Sequence, residues 1–280
     1  MRVGSHPSLP ELPEDDPVPE EPKLPTGKDF NHHPFGALKY APVAGRPIIS
    51  GIAPDDVVQG NLGDCFFMSS LVALARTKPK AIEDALKVNP DGSYTVTFRG
   101  PGGRPAPVTV DGAFPTKAGA QPFGRGLDKA ELWPAIFEKA YAKWKGGYGV
   151  IDGGGFAKDA LGALTGKPAH SRTLSTLSGE AAWKLVKDAV RAGQPVVTGT
   201  PDLKDLKKRT AGRPAMDGLI DGHAYALLDA YEKNGRRFVK LYTPLSPADA
   251  EEGTPGEPRT IELPFERWKA EFDDVAVGTV

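Results

Sequence analysis

The sequence predicts an α+β fold of two lobes, a helical first lobe followed by a β-rich second lobe. An unbroken apolar run, CFFMSSLVALARTK, predicts a buried helix in the first half, and ELWPAIFEKAYAKW has the three-and-four apolar spacing of another. In the second half PVVTGT, HAYALLDAYE and RRFVKLYTP have the pattern of strands. We therefore predict a tail over 1–45, a helical lobe over 46–166 and a β-rich lobe over 167–280.

The N-terminal residues differ in composition from the rest of the chain. From Met1 to about Phe30 the sequence is built from Pro, Glu, Asp and Lys, as in PSLPELPEDDPVPEEPKLP. Large apolar residues are too few there to offset the entropy of ordering the chain. We predict a flexible, partly polyproline tail, followed by globular composition from about Pro47.

The elements of the first lobe follow from local patterns. Gly60, Gly63 and Asp64 mark a turn, so the first helix should begin near Cys65. The segments SYTVTFRG and APVTVDGAF alternate apolar and polar residues around Gly and Pro turns, which predicts strands. In ELWPAIFEKAYAKW, Pro134 suits the first turn of a helix. The Gly-rich segment GALTGKP that follows is a plausible hinge between the lobes.

The second lobe begins with a helix and continues as sheet. Ser178 can cap the helix EAAWKLVKDAVRA, which Gly193 would terminate. The strands HAYALLDAYE and RRFVKLYTP are joined across Lys233, Asn234 and Gly235, residues that favour a hairpin turn. We therefore predict an antiparallel hairpin in this lobe.

Bulk composition excludes several classes of protein. The chain has 280 residues with 39% apolar content, enough for a globular core. Lys plus Arg number 35 and Asp plus Glu 36, so no strong field favours nucleic acid. The sequence has no run of about 18 apolar residues and no apolar signal region, which predicts no membrane span and a cytoplasmic or non-classically delivered protein. Nothing indicates an oligomer.

Cys65 is the single cysteine, so neither an internal disulfide nor a multi-thiolate zinc site can form. A thiol at a helix N-terminus sees the positive end of the backbone dipole, which is expected to lower its pKa and favour the reactive thiolate. The alternative is a buried structural cysteine, which is the commoner role for a lone Cys in an apolar stretch.

His223 is the histidine best placed to act as a base. The other four, His6, His32, His33 and His170, lie in polar or Pro/Gly-flanked segments and are expected to be solvated. His223 lies at the start of an apolar strand, where a general base can face a nucleophile on another element. Its separation from Cys65, about 160 residues, is near the roughly 130 to 150 of papain-type enzymes.

Three motifs resemble the calpain catalytic core. QGNLGDCFFMSSLVALA is similar to the calpain cysteine motif, GLIDGHAYALLDA to the histidine motif and ELWPAIFEKAYAKWKGGYG to the helix between them. The resemblance runs from about Pro47 to the C-terminus. It implies a papain-like two-lobed cysteine protease core, with the active site in the cleft between the helical and β-rich lobes.

The resemblance also implies catalytic roles. Cys65 would be the nucleophile, His223 the base, and Gln59 a donor to the oxyanion hole together with the Cys65 N–H. Taken alone, Gln59 is a turn residue. Where the family carries Asn-Pro-Trp, this chain has Thr243, Pro244 and Leu245. A threonine hydroxyl can accept an imidazole N–H but is shorter than an asparagine amide, so weaker orientation of His223 is expected.

A calcium site is the next implication of the resemblance. Ile49 and Gly51 correspond to backbone carbonyl ligands, Asp56 to an aspartate ligand and Glu131 to a glutamate ligand. Hard oxygen ligands of this kind suit Ca²⁺. The alternative roles are ordinary, since Asp56 could cap a turn and Glu131 favours a helix N-terminus. In the second lobe only Asp249 corresponds, so a second site is not expected.

Three functions are compatible with these residues. The first is a calcium-assisted cysteine endopeptidase that cleaves protein or peptide substrates through an acyl-thioester on Cys65. A catalytically silent peptide-binding module is the second, suggested by Thr243 and Leu245, with Phe66 replacing the usual tryptophan after the cysteine. The third is a Cys–His acyltransferase that passes the acyl group to an amine.

Overall fold

A computed structural model describes residues 21–25, 38–202, 204–205, 219–245 and 260–280. Over these ranges helices dominate the first half and strands the second, so the predicted α+β class is confirmed. The interpretations of His6, His32, His33 and Asp249 lie outside the described residues. No helix in the described ranges combines the length and apolar content that crossing a membrane requires.

The helices of the described residues are α1 (Cys65–Thr77), α2 (Pro79–Ala85), α3 (Trp133–Lys145), α4 (Tyr148–Asp152), α5 (Ala157–Thr165), α6 (Gly179–Arg191) and α7 (Phe265–Glu271). The strands of the first half are β1 (Lys39–Pro42), β2 (Val57–Val58), β3 (Leu86–Val88), β4 (Tyr94–Arg99), β5 (Pro105–Val110), β6 (Ala113–Thr116) and β7 (Arg125–Gly126). Those of the second half are β8 (His170–Thr173), β9 (Val196–Gly199), β10 (Ala224–Lys233), β11 (Arg236–Tyr242), β12 (Thr260–Pro264) and β13 (Asp274–Val277).

Within the described residues, the paired strands are all antiparallel and form four sheets. The largest has the order β12-β11-β10-β9-β13-β8 and holds every described strand of the second half. A three-stranded sheet, β3-β4-β5, lies in the first half, and two small pairs, β1-β6 and β2-β7, complete it. The strands predicted in SYTVTFRG and APVTVDGAF are β4, β5 and β6.

Helix α1 begins at the predicted residue and lies inside the protein. Ten consecutive residues from Phe66 to Ala75 are buried, so the helix has no solvent-facing side over that stretch. An all-round apolar helix of this kind must be surrounded by other elements. It contacts α5 on one side and the central strands β9 and β10 on another. Helix α1 therefore connects the two halves of the chain.

Helix α3 packs on α1 through aromatic side chains. The Phe67 and Tyr141 rings are stacked with centroids 4.0 Å apart, and Phe98 of β4 stacks on Trp144 at 5.2 Å. Such contacts add to the burial of apolar area. Pro134 lies in the first turn of the helix, as predicted, because its missing N–H has no partner to lose there.

The predicted hairpin of the second half is formed by β10 and β11. Asn234 and Gly235 have positive φ values of 52° and 70°, which a tight two-residue turn requires. The strand register shifts by one residue between Leu227 and Asp229, so β10 contains a bulge. Helix α6 is capped as predicted, since Ser178 Oγ accepts the Ala181 N–H at 3.2 Å.

Two hydrophobic clusters form the interior. The larger contains the first-half elements together with four inner residues of the large sheet, Val197, Ala224, Ala226 and Ala276, and Tyr242 of β11. The smaller lies on the opposite face of that sheet, under α6 and α7. The predicted hinge segment GALTGKP is the end of α5, which Gly166 terminates with a φ of +71°.

Part of the predicted tail is packed on the first half. Strand β1 pairs with β6, and the Tyr40 hydroxyl donates to the Pro22 carbonyl. The Glu21 carboxylate lies 2.6 Å from the ammonium of Lys139, whose side chain is fully buried. A buried ammonium needs counter-charges, and the N-terminal residues supply one of them. The described parts of the tail therefore differ from the flexible segment that composition predicted.

Candidate active site

Cys65 is the first residue of α1 and is half-buried. Its sulfur accepts a hydrogen bond from the backbone N–H of Ala224, the residue after His223. Burial raises the pKa of the thiol to about 11, whereas the N–H groups of Ala224, Phe66 and Cys65 itself act to lower it. The expected lowering at the helix N-terminus is therefore outweighed by desolvation.

His223 immediately precedes β10 and is buried. Thr200 holds its backbone on both sides, since the Thr200 hydroxyl accepts the His223 N–H at 3.0 Å and the Thr200 N–H donates to the His223 carbonyl at 2.9 Å. The imidazole meets the Tyr225 ring edge-on, with centroids 4.9 Å apart. Burial lowers the pKa of His223 to about 3, so the imidazole is neutral at neutral pH.

Thr243 lies against the His223 ring. The distance from His223 Nε2 to Thr243 Oγ1 is 2.9 Å, and Thr243 is fully buried. The same hydroxyl oxygen accepts the Leu245 N–H at 3.2 Å. An oxygen with two lone pairs can still accept Nε2–H, which leaves the Nδ1 lone pair of His223 available for a thiol proton.

The backbone of Ala224 joins the cysteine helix to the histidine strand. Its N–H donates to the Cys65 sulfur, and its carbonyl accepts the Ser69 hydroxyl at 2.8 Å. Both partners are on α1, one turn apart. The structure thus brings Cys65, His223 and Thr243 to one place, although they lie on different elements far apart in sequence.

Gln59 is buried beside the same hairpin end. Its backbone N–H donates to the Pro244 carbonyl at 2.6 Å, and the residue bridges Leu245. The side-chain Nε2 donates to the Leu62 carbonyl at 2.6 Å, which uses one of its two hydrogens. Gln59 Oε1 has no hydrogen-bond partner among the described residues. The Leu62 carbonyl thus uses one of the two amide hydrogens of Gln59.

The residues predicted to hold calcium are also close together. Glu131 is buried, and its Oε1 accepts the Ile49 N–H at 2.7 Å. Asp56 Oδ2 accepts the Ala53 N–H at 2.7 Å. Burial and the adjacent Asp56 carboxylate both raise the pKa of Glu131, while the Ile49 N–H lowers it. Gly51 is in the same loop, with a φ of +95°.

Two adjacent carboxyl groups facing a loop form an oxygen-rich donor set, and their like charges repel until a proton or a cation is bound. Within the described ranges, no group of three or more His, Cys, Asp or Glu side chains is placed to hold a metal ion. The predicted set combines two carboxylates with two backbone carbonyls, so it does not depend on such a group.

Several residues near the cysteine escape sequence reasoning. Ser69 and Ser70 are polar residues within an apolar helix, which was a signal for a buried hydrogen bond but not for its partner. Glu138 is buried at 1% exposure on α3 and touches the Asp64 carboxyl. Asp64 and Glu138 are 74 residues apart in sequence, so no local pattern reveals their contact.

Known proteins are similar to this chain over most of its length. A family model described as "Calpain family cysteine protease" matches residues 44–249. Calpain-type cysteine protease DEK1 of Arabidopsis thaliana is 33% identical over 211 residues, covering 71% of this chain and 9% of that protein. The Oryza sativa subsp. japonica protein, calpain-type cysteine protease ADL1, is 30% identical over 223 residues, covering 75% and 10%.

An animal relative shows similar agreement. Calpain-9 of Rattus norvegicus is 30% identical over 203 residues, which cover 69% of this chain and 28% of that protein. The chain thus spans about a tenth of the plant relatives and less than a third of the animal one. The residues that the family model matches include Cys65, His223 and Thr243.

Proposed function

The chain belongs to the calpain family of cysteine proteases, and from that premise we propose that it hydrolyses peptide bonds in proteins through an acyl-thioester on Cys65. One observation carries the proposal. The backbone N–H of Ala224, the residue after His223, donates to the Cys65 sulfur, and Thr243 Oγ1 lies 2.9 Å from His223 Nε2. A nucleophile, a base and an orienting group in this order are the parts that covalent acyl transfer requires.

The chemical steps follow from the available atoms. His223 Nδ1 takes the thiol proton as the Cys65 sulfur attacks the scissile carbonyl carbon. The oxyanion that forms accepts hydrogen bonds from the Cys65 N–H and the free hydrogen of Gln59 Nε2. As the tetrahedral intermediate collapses, the C–N bond breaks and the imidazolium gives its proton to the leaving amine. Water, deprotonated by His223, then cleaves the thioester and regenerates the thiol.

A substrate must change the protonation of the Cys65–His223 pair for the reaction to begin. With a thiol pKa of about 11 and an imidazole pKa of about 3, Cys65 and His223 are both uncharged in the resting protein. Desolvation is the first cause of both shifts, so hydration or a polar substrate at the site favours proton transfer. The substrate would lie in a papain-like cleft, with α1 on one side and the β10-β11 hairpin on the other. From this cleft it would reach the Cys65 sulfur.

We include calcium in the proposal. The Asp56 and Glu131 carboxylates and the carbonyls of Ile49 and Gly51 would hold the ion. Their fit rests on the contact between the two carboxyl groups, which a divalent cation would neutralise. The bound ion would supply charge that ties the loop before α1 to the N-terminal end of α3. Proton transfer and acyl transfer remain the work of the chain's own residues.

A peptide-binding module without catalysis is the second candidate. Thr243 and Leu245 stand where the family carries asparagine and tryptophan, and the raised thiol pKa disfavours the thiolate. Such a protein would keep the groove and hold peptides. The acyltransferase alternative differs from the proposal only in the acceptor, an amine in place of water.

Proteolysis of an unfolded, casein-like protein tests the three functions. We expect fragments with free carboxyl ends by mass spectrometry, and none from the Cys65→Ser variant. Fragments that carry an added amine would indicate acyl transfer. Intact substrate, combined with no labelling of Cys65 by iodoacetamide in calcium or in chelator, would support the binding module and exclude the protease.

Labelling with and without calcium tests the metal site. We expect Ca²⁺ to speed alkylation of Cys65 in the wild-type protein and to have no effect in Asp56→Asn. Asp55→Asn is the matched control, because the neighbouring aspartate is exposed. An unchanged calcium response in Asp56→Asn, or no response in the wild type, would remove calcium from the proposal and leave the protease intact.

A further inference from the structure

Three carboxyl groups are buried around the start of α1. Asp64 is fully buried at the N-cap of the helix, Glu138 of α3 is 1% exposed and Asp152 of α4 is 3% exposed. Removing a carboxylate from water is costly unless donors or cations replace its hydration. The donors around each group therefore indicate which of them is ionised.

The donors are distributed unequally. Glu138 Oε1 accepts the Gly124 N–H at 2.7 Å, and the positive charge of Arg125 favours its ionised form. Asp152 Oδ1 accepts the Gly63 N–H at 2.8 Å. Neither carboxyl oxygen of Asp64 has a donor among the described residues, and its side chain does not cap the helix.

The Asp64 and Glu138 carboxyl groups are themselves in hydrogen-bond contact. Two carboxylates in contact cannot both be ionised without large repulsion, so one proton must lie between them. Since Glu138 has the donor and the nearby cation, the proton belongs to Asp64, whose O–H donates to Glu138. Burial raises the pKa of both groups, while their hydrogen bond further raises the pKa of Asp64 and acts to lower that of Glu138.

We propose that Asp64 is a positioning residue held as a neutral acid by Glu138, so that the residue before Cys65 carries no charge when the thiolate forms. The inference rests on the proposed role of Cys65 as nucleophile. An ionised Asp64 would oppose a thiolate on the adjacent residue, since its charge acts to raise the pKa of Cys65. Glu138 thus influences the nucleophile through the proton that it keeps on Asp64.

The remaining groups around the pair fit this assignment. The hydroxyls of Tyr141 on α3 and Tyr148 on α4 are buried and have no hydrogen-bond partner among the described residues. Burial raises the pKa of both phenols, so both stay neutral. Asp152 adds a like charge that further favours protonation of Asp64. Arg125 is the cation, and it acts on Glu138.

The experiment is the pH dependence of Cys65 alkylation by iodoacetamide. In Glu138→Gln the amide keeps the Gly124 contact and donates to Asp64, which removes the partner that favours the neutral acid. We therefore expect the pKa of Asp64 to fall, the apparent thiol pKa to rise and the rate at pH 7 to fall about five-fold or more. The double variant Asp64→Asn with Glu138→Gln removes both charges. Its labelling rate should return to the wild-type value or exceed it.

A merely structural role would not produce this rescue. The inference would be overturned if Glu138→Gln is alkylated at the wild-type rate across the pH range. It would also be overturned if the double variant is alkylated as slowly as Glu138→Gln. Glu271→Gln is the matched control, because Glu271 is equally buried on α7 and should leave the thiol pKa unchanged. If Glu138→Gln does not fold, Asp64→Asn alone decides, since a rate more than about five-fold below wild type contradicts the proposal. Labelling reports the thiol directly, so a failure of proteolysis leaves the result interpretable.

Discussion

At the scale of single residues, Thr243 shows that a short side chain can take the orienting position. The end of β11 brings its hydroxyl to 2.9 Å from the His223 ring, so the reach of an asparagine amide is not needed. The oxygen is also fixed by the Leu245 N–H, which limits its rotation. The hydrogen bond that would orient the imidazole is therefore present with threonine in this position.

Replacing Thr243 with valine removes this hydroxyl at nearly constant volume. We expect kcat/KM on a peptide substrate to fall about ten-fold, because a buried imidazole nitrogen loses its partner. Thr198→Val is the control, since Thr198 is equally buried in β9 and bonds to Asp274 and Trp268 instead of the histidine. Equal losses of activity in the two variants would mean that Thr243 acts only through stability.

Burial of neutral His223 predicts loss of stability in acid. The pKa is about 3 in the folded protein and 6.5 in the unfolded chain, so the unfolded state binds more protons between these values. Stability from this group is complete above pH 6.5 and is lost as pH falls toward 3, by up to about 1.4 kcal/mol per pH unit.

Denaturant unfolding at pH 7.5 and pH 5 measures this slope. His223→Gln should lose less free energy of unfolding between the two values than the wild type does. The control is His170→Gln, which removes an exposed histidine and should keep the wild-type slope. Parallel slopes for wild type and His223→Gln would show that the imidazole is hydrated in solution.

Sequence motifs were sufficient to find the residues of the site but not their electrostatics. Cys65, His223, Gln59 and Thr243 lie near one another, and their catalytic roles stay predictions. The expected lowering of the thiol pKa was wrong, because desolvation depends on tertiary packing that a helix N-terminus does not reveal.

At the scale of elements, the contact between α1 and β10 decides the relative placement of nucleophile and base. Ser69 is the α1 residue that holds the Ala224 carbonyl. Substitution by alanine leaves that buried carbonyl without its partner, so we expect a loss of about 1 to 3 kcal/mol in the free energy of unfolding. The pH dependence of Cys65 alkylation should also differ from that of the wild type, because the Ala224 N–H that donates to the sulfur would move when the Ala224 carbonyl moves.

Ser70→Ala is the matched control for this prediction. Ser70 is also fully buried, but its hydroxyl bonds to the Phe66 carbonyl within the same helix, which adds no contact between elements. In chemical unfolding, Ser70→Ala should lose clearly less free energy of unfolding than Ser69→Ala, and its labelling of Cys65 should be unchanged. A Ser69 variant indistinguishable from the Ser70 variant would refute the role of this hydrogen bond.

The long elements were predictable because their signals are local. Helices α1, α3 and α6 and the β10-β11 hairpin have apolar periodicity, caps or turn residues in their own sequence. The pairs β1-β6 and β2-β7 have no such signal, since they join segments more than 60 residues apart in the chain and only two to four residues long.

At the scale of the whole molecule, the N-terminal residues matter through Lys139. Its buried ammonium lies between Glu21 and Asp111, so Glu21→Gln removes one of two counter-charges. We expect a loss of about 1 to 2 kcal/mol in the free energy of unfolding, because Asp111 and the Ala113 carbonyl remain.

Thermal or denaturant unfolding checks this prediction. Glu83→Gln is the control, since Glu83 pairs with Lys80 on the surface of α2, where ion pairs contribute little. Composition could not foresee the contact with Lys139, because a Pro-rich acidic segment gives no apolar pattern. If the Glu21 variant is as stable as the control, the N-terminal segment does not stabilise the protein through Lys139.

The bulge in β10 has a consequence for which changes the catalytic hairpin can tolerate. Ala226 pairs with Tyr242 on one side of it and Asp229 with Lys240 on the other, so one additional residue separates the two registers. Deleting Leu228 would leave both sets of pairs in one continuous register. Deleting a residue between the bulge and His223 would instead shift that register by one residue, and the Thr243 side chain would then face away from the imidazole. Loop grafting or circular permutation must therefore preserve the number of residues between the base and its partner, even at the distant Asn-Gly turn.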